Sequence, residues 1–302
     1  MIGIIAVVVA SIFFLGVVNR TKAIASGRKG PGLLQHMYDI VRLLRKQTIY
    51  STTTGFVFKI APSIYFSSIV CALLVLPFHD QQAVISFDGD FVFFAYMLAV
   101  GRFFMIIAAM DTGSPFEGMG ANREALYALL AEPAFFLLMG SFAMYTGTTS
   151  FADMFNDFIN YSDSTSIFLL ILAFFLLFQI MMIENSRLPL DDPNTHLELT
   201  MIHEVMILDN SAFDMAILTY SVSLKFAMFG LLMCNFLLHS GMNIVQELLL
   251  FFGLQFALAV TVGMAESFRA RERMKKNPNF IFILTVLALI LFFGIVLIMN
   301  KL

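Results

Sequence analysis

Residues 184–204, "ENSRLPLDDPNTHLELTMIHE", gather side chains that can exchange protons, in a chain that is 59% hydrophobic and only 13% charged. The segment holds several carboxylates, two histidines and an arginine. A carboxylate desolvated among others has a raised pKa, so it can bind and release protons near neutral pH. The pattern indicates proton transfer, and the candidate acids in this segment and at the ends of neighbouring elements are Glu124, Glu184, Asp191, Asp192, Glu198, Glu204 and Glu266.

Other kinds of chemistry lack the residues that they need. His203 and Glu204 match the start of a metalloprotease motif, but position 207 is Ile where the second histidine ligand is required. Cys71 and Cys234 lie in separate apolar stretches and form no CxxC pair. The chain contains no P-loop and no nucleophile elbow. We therefore expect no metal site, no cofactor and no catalytic centre in this chain.

The elements that must position these groups are transmembrane helices. The mean hydropathy is +0.86, and about 20 apolar residues are needed for a helix to cross a hydrocarbon core of about 30 Å. The alternating ten-residue segments of a membrane barrel are not found in the sequence. The predicted fold is all-α, one integral membrane domain over 1–302 with about eight spans near 1–18, 60–78, 91–110, 124–146, 167–183, 215–238, 247–265 and 280–299.

The basic residues predict how the chain is oriented. Lysine and arginine concentrate in alternate loops, and basic loops of membrane proteins face the cytoplasm. We therefore expect a multi-pass protein of the cell inner membrane with both termini outside and the acidic segment 184–204 in the cytoplasm. The basic loops are 19–59, 111–123, 184–214 and 266–279, whereas 79–90, 147–166 and 239–246 contain no lysine or arginine.

The first long loop is predicted to contain an amphipathic helix, within 27–48. Leu33, Met37, Ile40 or Val41, and Leu44 fall on one helical face. The basic side chains of this region lie away from that face, which is typical of a helix lying in the membrane interface. They are Arg42, Arg45 and Lys46.

The acidic loop, 184–214, is predicted to contain a second short helix at the cytoplasmic boundary. Asp192 is a suitable N-cap and Pro193 suits a first helical turn. Apolar residues then recur at intervals of three or four up to Leu208. The helix is expected to run from Pro193 to Leu208.

Three charged residues fall inside the predicted spans. Arg102, Glu132 and Lys225 lie eight to ten residues from the cytoplasmic ends of their helices, at depths of roughly 12–15 Å for a rise of 1.5 Å per residue. Charges at such depths are costly and usually face a partner or a water-filled cavity. They predict either a proton-carrying polar axis or a buried ion pair that fixes helix packing.

Four segments carry a resemblance to a known family. They are "GRKGPGLLQHMYDIVRLLRK" (27–46), "MDTGSPFEGMGANREALYALLAEPAF" (110–135), "ENSRLPLDDPNTHLELTMIHEVMILDNS" (184–211) and "ESFRARER" (266–273). In this order, through nearly the whole chain, they resemble the complex I subunit 1 family, which has bacterial and mitochondrial members. The form "DDPNTHLELTMIHE" is more similar to the membrane subunits of group 4 energy-converting NiFe hydrogenases, such as formate hydrogenlyase subunit 4 and hydrogenase component C, than to quinone-reducing complex I.

The resemblance implies a coupling subunit that is not catalytic alone. Such a subunit anchors a hydrophilic arm and passes the effect of electron transfer to antiporter-like membrane subunits. The implied partners are membrane lipid, arm subunits that carry iron–sulfur clusters and a NiFe centre, and these antiporter-like subunits, without nucleic acid. The implied proton-transfer and coupling residues are Arg102, Glu124, Glu132, Glu184, Arg187, Asp191, Asp192, Glu198, Glu204, Lys225 and Glu266.

Two alternatives remain at this point. One is a quinone-site subunit of an NADH-quinone oxidoreductase, with the site between the first span, the amphipathic helix and the acidic loop. The departure of the acidic loop from the complex I pattern leaves quinone binding open. The other is a stand-alone ion transporter. The midplane charges favour it, but the sequence lacks the paired repeats that such transporters usually contain.

Overall fold

A computed structural model describes residues 2–78, 83–158, 164–188, 190–191, 201–238, 242–269 and 276–299 of the chain. Every regular element in these residues is an α-helix. In chain order the helices are α1 (Ile2–Ala25), α2 (Gln35–Leu44), α3 (Phe56–Val75), α4 (Asp90–Asp111), α5 (Pro115–Thr146), α6 (Phe151–Phe158), α7 (Ser164–Glu184), α8 (His203–Met206), α9 (Ala212–Asn235), α10 (Ile244–Phe268) and α11 (Asn277–Met299).

The helices confirm the predicted polytopic membrane architecture. Seven of them in the described residues, α1, α3, α4, α5, α9, α10 and α11, are long and apolar enough to cross a bilayer. A shorter apolar helix, Phe168–Glu184 within α7, corresponds to the remaining predicted span. A helix satisfies its own backbone hydrogen bonds, which is the condition for crossing hydrocarbon.

Helix α9 is the centre of the bundle. It packs against α1, α2, α3, α7 and α10, and from Ser223 to Asn235 every residue is buried. Aromatic rings fill the space beside it, where Phe94 of α4 contacts Phe135 of α5 and Phe229 of α9 with ring centroids about 6 Å apart. A charged residue on α9, such as Lys225, is therefore enclosed by protein.

Helix α5 begins earlier than the sequence suggested. Residues 115–123 belong to the predicted loop 111–123, but they are helical, because Pro115 starts the helix after an extended Ser114. Gly120 lies directly under Ile202, Val205 and Met206. This tertiary contact, which needs a residue without a side chain, outweighs the low helix propensity of glycine.

The predicted boundary helix over 193–208 is helical only at His203–Met206 in its described part. Residues 192–200 lie outside the described residues; Met201 and Ile202 are not helical, and only the single turn α8 follows. The carboxylate of Asp191 accepts hydrogen bonds from the backbone N–H groups of Ile202 and His203, each at 3.0 Å. The side chain of Asp191 thus supplies a hydrogen-bond acceptor for both N–H groups at the start of the turn α8, which begins at His203.

Helix α2, of ten residues, lies within the range 27–48 in which an amphipathic helix is predicted. It packs against α9 and α1 through the buried Ile40. Leu33, Val41 and Leu44 of the predicted apolar face remain exposed.

A helix that was not anticipated, α6, lies in the predicted loop 147–166. The buried Asp90 of α4 accepts the backbone N–H of Phe151 at 2.7 Å and the hydroxyl of Ser150 at 3.1 Å. Since the first N–H groups of a helix have no partner within it, this carboxylate caps α6 and holds it against α4.

Candidate functional site

The site is a network of buried charges centred on Arg102 of α4. Its guanidinium pairs with Glu184 at the end of α7, with Glu124 of α5 at 3.7 Å and with Glu132 of α5 at 3.6 Å. The exposure of the three carboxylate side chains rises from 9% for Glu184 to 18% for Glu124 and 41% for Glu132. The network therefore runs from the protein interior to its surface.

Lys225 of α9 extends the network inward. Its ammonium lies 3.7 Å from Glu184 and 5.7 Å from the ring centre of Tyr65. Glu184 is thus shared by two cations on two different helices. Within the described residues the five members, Arg102, Glu124, Glu132, Glu184 and Lys225, contribute three carboxylates and two cations; we call them the Arg102 network.

The segment 201–209, which contains α8, is attached to the first turns of α5. Arg123 donates a hydrogen bond to the carbonyl of Met201 at 3.0 Å, and the buried Glu117 accepts the N–H of Asp209 at 3.0 Å. Between these contacts lies Gly120 under the α8 turn. The same helix, α5, carries Glu124 and Glu132, so one rigid element joins this segment to the Arg102 network.

A second buried charge cluster joins α1 and α10 to Arg187, three residues after Glu184. Glu266 of α10, whose side chain is fully buried, pairs with Lys22 of α1 at 2.8 Å and with Arg187 at 3.3 Å. One carboxylate thus holds two cations from two separate segments. We call Lys22, Arg187 and Glu266 the Glu266 clamp.

A cavity of about 110 Å³ lies beside Arg187 of the Glu266 clamp. Two histidines from different elements, His36 of α2 and His203 of α8, contribute to its lining together with Arg187 and Asp191. Nε2 of His36 lies 2.9 Å from the hydroxyl of Ser223. The remaining walls are mainly apolar, with Leu15, Leu218 and Val222 among them.

Both histidines are held in the neutral form. Burial lowers the pKa of His203 to about 4, and the positive charge of Lys225 acts in the same direction. Burial also lowers the pKa of His36, with a further contribution from Arg187. A neutral imidazole can donate and accept a hydrogen bond at once, so each ring presents a polar group to the cavity without a net charge.

The structure brings together most of the predicted site residues. Arg102, Glu132 and Lys225 meet as their depths suggested, and Glu184 joins them. Arg187 and Glu266 form the separate clamp, while Asp191 and Glu204 line the cavity. Asp192 and Glu198 lie outside the described residues. Among the described residues, no group of three His, Cys, Asp or Glu side chains could hold a metal ion.

Sequence reasoning missed Glu117, His36 and Lys22. Glu117 was overlooked because its segment was interpreted as a loop. His36 is adjacent to Met37, a member of the predicted apolar face of α2. The helical periodicity of that face was therefore the signal that could have identified His36 as an inward-facing residue. Lys22 was counted as a loop cation, since α1 continues seven residues beyond the predicted end at Val18.

A polytopic helical bundle with a buried charge network defines a class of membrane protein, and comparison with known sequences identifies the family. The sequence model of the NADH dehydrogenase family matches residues 1–298. The chain therefore belongs to the NADH dehydrogenase family, as the four motifs predicted.

Individual relatives agree with this assignment. Formate hydrogenlyase subunit 4 of Escherichia coli K12 is 30% identical over 210 residues, 70% of this chain and 67% of the relative. Hydrogenase-4 component C of the same organism is 34% identical over 136 residues, 45% of this chain but only 43% of the relative. NADH-ubiquinone oxidoreductase chain 1 of Dictyostelium citrinum is 25% identical over 212 residues, 68% of this chain and 65% of the relative.

A solved structure shares the fold. A chain in the structure of the membrane-bound sulfane sulfur reductase, an archaeal respiratory membrane complex, superimposes with a TM-score of 0.81. The match covers 97% of this chain and 96% of the other, at 18% sequence identity. The whole bundle therefore has a known architecture.

Proposed function

We propose that this protein is the membrane-anchoring and coupling subunit of a respiratory complex of the hydrogenase or formate-hydrogenlyase type. It is not catalytic alone. Electron transfer takes place in hydrophilic partner subunits that carry iron–sulfur clusters and a NiFe centre. This chain links that reaction to proton or sodium movement, with antiporter-like subunits as membrane partners, in the cell inner membrane with both termini outside.

The Arg102 network is the observation that carries the proposal. Among the residues that the structure describes, its three carboxylates outnumber its two cations by one, and a proton or a bound cation can balance the additional negative charge. The carboxylates lie on two helices at increasing exposure. A proton taken up at the exposed Glu132 can therefore move to Glu124 or Glu184, while Arg102 stays charged and pairs with the carboxylates that remain ionised. Charged residues within membrane spans commonly mark such pathways.

Helix α5 provides the mechanical link. Its first turns hold the segment 201–209, and Pro133 follows Glu132 inside the helix. Proline removes one backbone hydrogen bond and kinks a helix. A displacement of the 201–209 segment by the redox arm therefore tilts residues 115–132 about Pro133 and changes the distances of Glu124 and Glu132 from Arg102.

The experiment uses the complex purified through a tag on this chain, with its subunits identified by mass spectrometry. Hydrogenase large and small subunits are expected. In sealed vesicles, Glu132→Gln should abolish redox-driven ion movement while the complex stays assembled, because the amide cannot ionise and the side chain is partly exposed. Asp88→Asn, which removes an exposed carboxylate in a loop, is the control. Unaltered ion movement in Glu132→Gln would contradict the proposal.

The cavity favours a second candidate function, a quinone-site subunit. It lies between α1, α2 and the acidic loop, and its volume is comparable with the ~150 Å³ cavity that holds benzene. His36 and His203 could donate hydrogen bonds to a quinone carbonyl, while the apolar walls contact the ring. A bound quinone would accept the electrons. Reduction of a soluble quinone by the purified complex, lost in His36→Ala and kept in Asp88→Asn, would establish this candidate.

A further inference from the structure

Helix α2 has a face that no other part of the described chain covers. Its inner face, with His36 and Ile40, packs against α9 and α1. On the opposite face Leu34, Tyr38 and Val41 follow one another at intervals of four and three residues, with 37%, 63% and 41% of their surface exposed. An exposed apolar stripe with this spacing is a docking surface rather than a solvated helix face.

The charge along this stripe identifies what it fits. Arg45 continues the stripe by one turn, and Arg42 lies beside it, so both guanidiniums flank Tyr38 and Val41 in an open groove. The acid on this side of the helix is Asp39, which accepts a hydrogen bond from Gln35 at 3.0 Å and lies 3.9 Å from Arg42. Arg45 and the exposed Lys46 then leave the surface positively charged.

We propose that this face, Leu34, Tyr38, Val41, Arg42 and Arg45, binds the headgroup and upper acyl chain of an anionic phospholipid. The guanidiniums bind the phosphate through paired hydrogen bonds, and the apolar stripe contacts the acyl chain. A basic and apolar helix face of this kind lies in the plane of a membrane surface. The occupant is a lipid because the surface combines cations that can bind a phosphate with an apolar stripe whose exposure to water is unfavourable.

The test uses an unusual property of the sequence, which contains no tryptophan. Tyr38→Trp places a single indole on the face, in the full-length chain reconstituted into phosphatidylcholine vesicles. Brominated phosphatidylglycerol or brominated phosphatidylcholine is then added at equal low mole fraction, and quenching of the indole is compared. Each cation near a membrane surface is expected to enrich anionic lipid about fivefold, so phosphatidylglycerol should quench several-fold more strongly.

Two charge variants provide the matched comparison. In the Tyr38→Trp background, Arg42→Gln with Arg45→Gln should reduce the preference to that for phosphatidylcholine. Arg28→Gln with Lys29→Gln removes the same charge from an exposed segment before α2 and should keep the preference. Helix content and gel-filtration volume show that each variant is folded.

Two results would overturn the proposal. Equal quenching by both lipids in the Tyr38→Trp chain would show that the face does not select anionic headgroups. The absence of quenching by either lipid would show that the stripe does not contact the bilayer.

Discussion

The Arg102 network and the Glu266 clamp are both buried ion clusters, but their charge ratios are opposite. The network has three carboxylates for two cations, whereas the clamp has one carboxylate for two cations. The network opens to the surface at Glu132, while the Glu266 side chain is fully enclosed. A cluster with excess negative charge can take up a proton without losing all its pairs. In the clamp both cations pair with the enclosed Glu266, and this pairing fixes Arg187 at the cavity.

This difference separates movable charge from fixed charge in one protein. Glu266 and Arg187 were predicted as coupling residues, and we propose that they contribute by holding the cavity wall. Buried pairs are strongly destabilised when one partner is removed. Stability alone therefore cannot distinguish the clusters, but ion movement can.

The largest effect is expected from Glu184→Gln. Lys225 loses its ion pair and Arg102 loses one of three, which should cost about 3–5 kcal/mol and abolish ion movement in complexes that assemble. Glu266→Gln, a change at another buried carboxylate that holds two cations, should cost a similar amount and largely retain ion movement. Melting of the purified complex and ion movement in vesicles are the two measurements. If Glu266→Gln also abolishes ion movement in an assembled complex, the clusters do not differ as proposed.

A smaller effect is expected from a substitution at Gly120, where α5 contacts the segment 201–209. A Cβ at Gly120 would meet the Val205 side chain and approach the Ile202 carbonyl to 2.9 Å, while one at Gly118 meets nothing within 4 Å. Gly120→Ala should destabilise the complex by about 1–3 kcal/mol through overpacking and weaken coupling.

Gly118→Ala is the matched control for this contact. It should be neutral or stabilising by up to about 1 kcal/mol, since alanine favours helix. The melting temperature should therefore fall in Gly120→Ala and stay unchanged or rise in Gly118→Ala. Equal shifts would mean that the α5 contact does not position the segment.

The smallest effect is a pH dependence from His203. Burial lowers its pKa from 6.5 to about 4, so the unfolded chain binds the proton first. Stability from this group is complete above pH 6.5 and decreases by at most about 1.4 kcal/mol per pH unit as the pH falls towards 4. The melting temperature between pH 7.5 and 5 should fall less steeply in His203→Gln than in the wild type. Identical slopes would contradict the burial of a neutral His203.

The sequence predicted the helices better than their contacts. Span positions follow from apolar length, and Arg102, Glu132 and Lys225 were placed at a common depth because rise per residue is constant in a helix. The extent of α5 and the single turn α8 were not predicted. Gly120 and Asp191 act there through residues distant in sequence, which local propensity does not report.

The amino-acid sequence by itself determined the family, the approximate number of spans, the amphipathic helix and the charged residues within the spans. These features depend on the length of apolar stretches and on the free-energy cost of placing charge in hydrocarbon, and both can be read from composition and spacing. The tertiary structure alone decided which charges meet. Glu184 was counted with the acidic loop, yet it is the carboxylate shared by Arg102 and Lys225, since α4, α7 and α9 converge there. Ion pairing depends on distances of a few ångströms between helices, and these distances are set by packing.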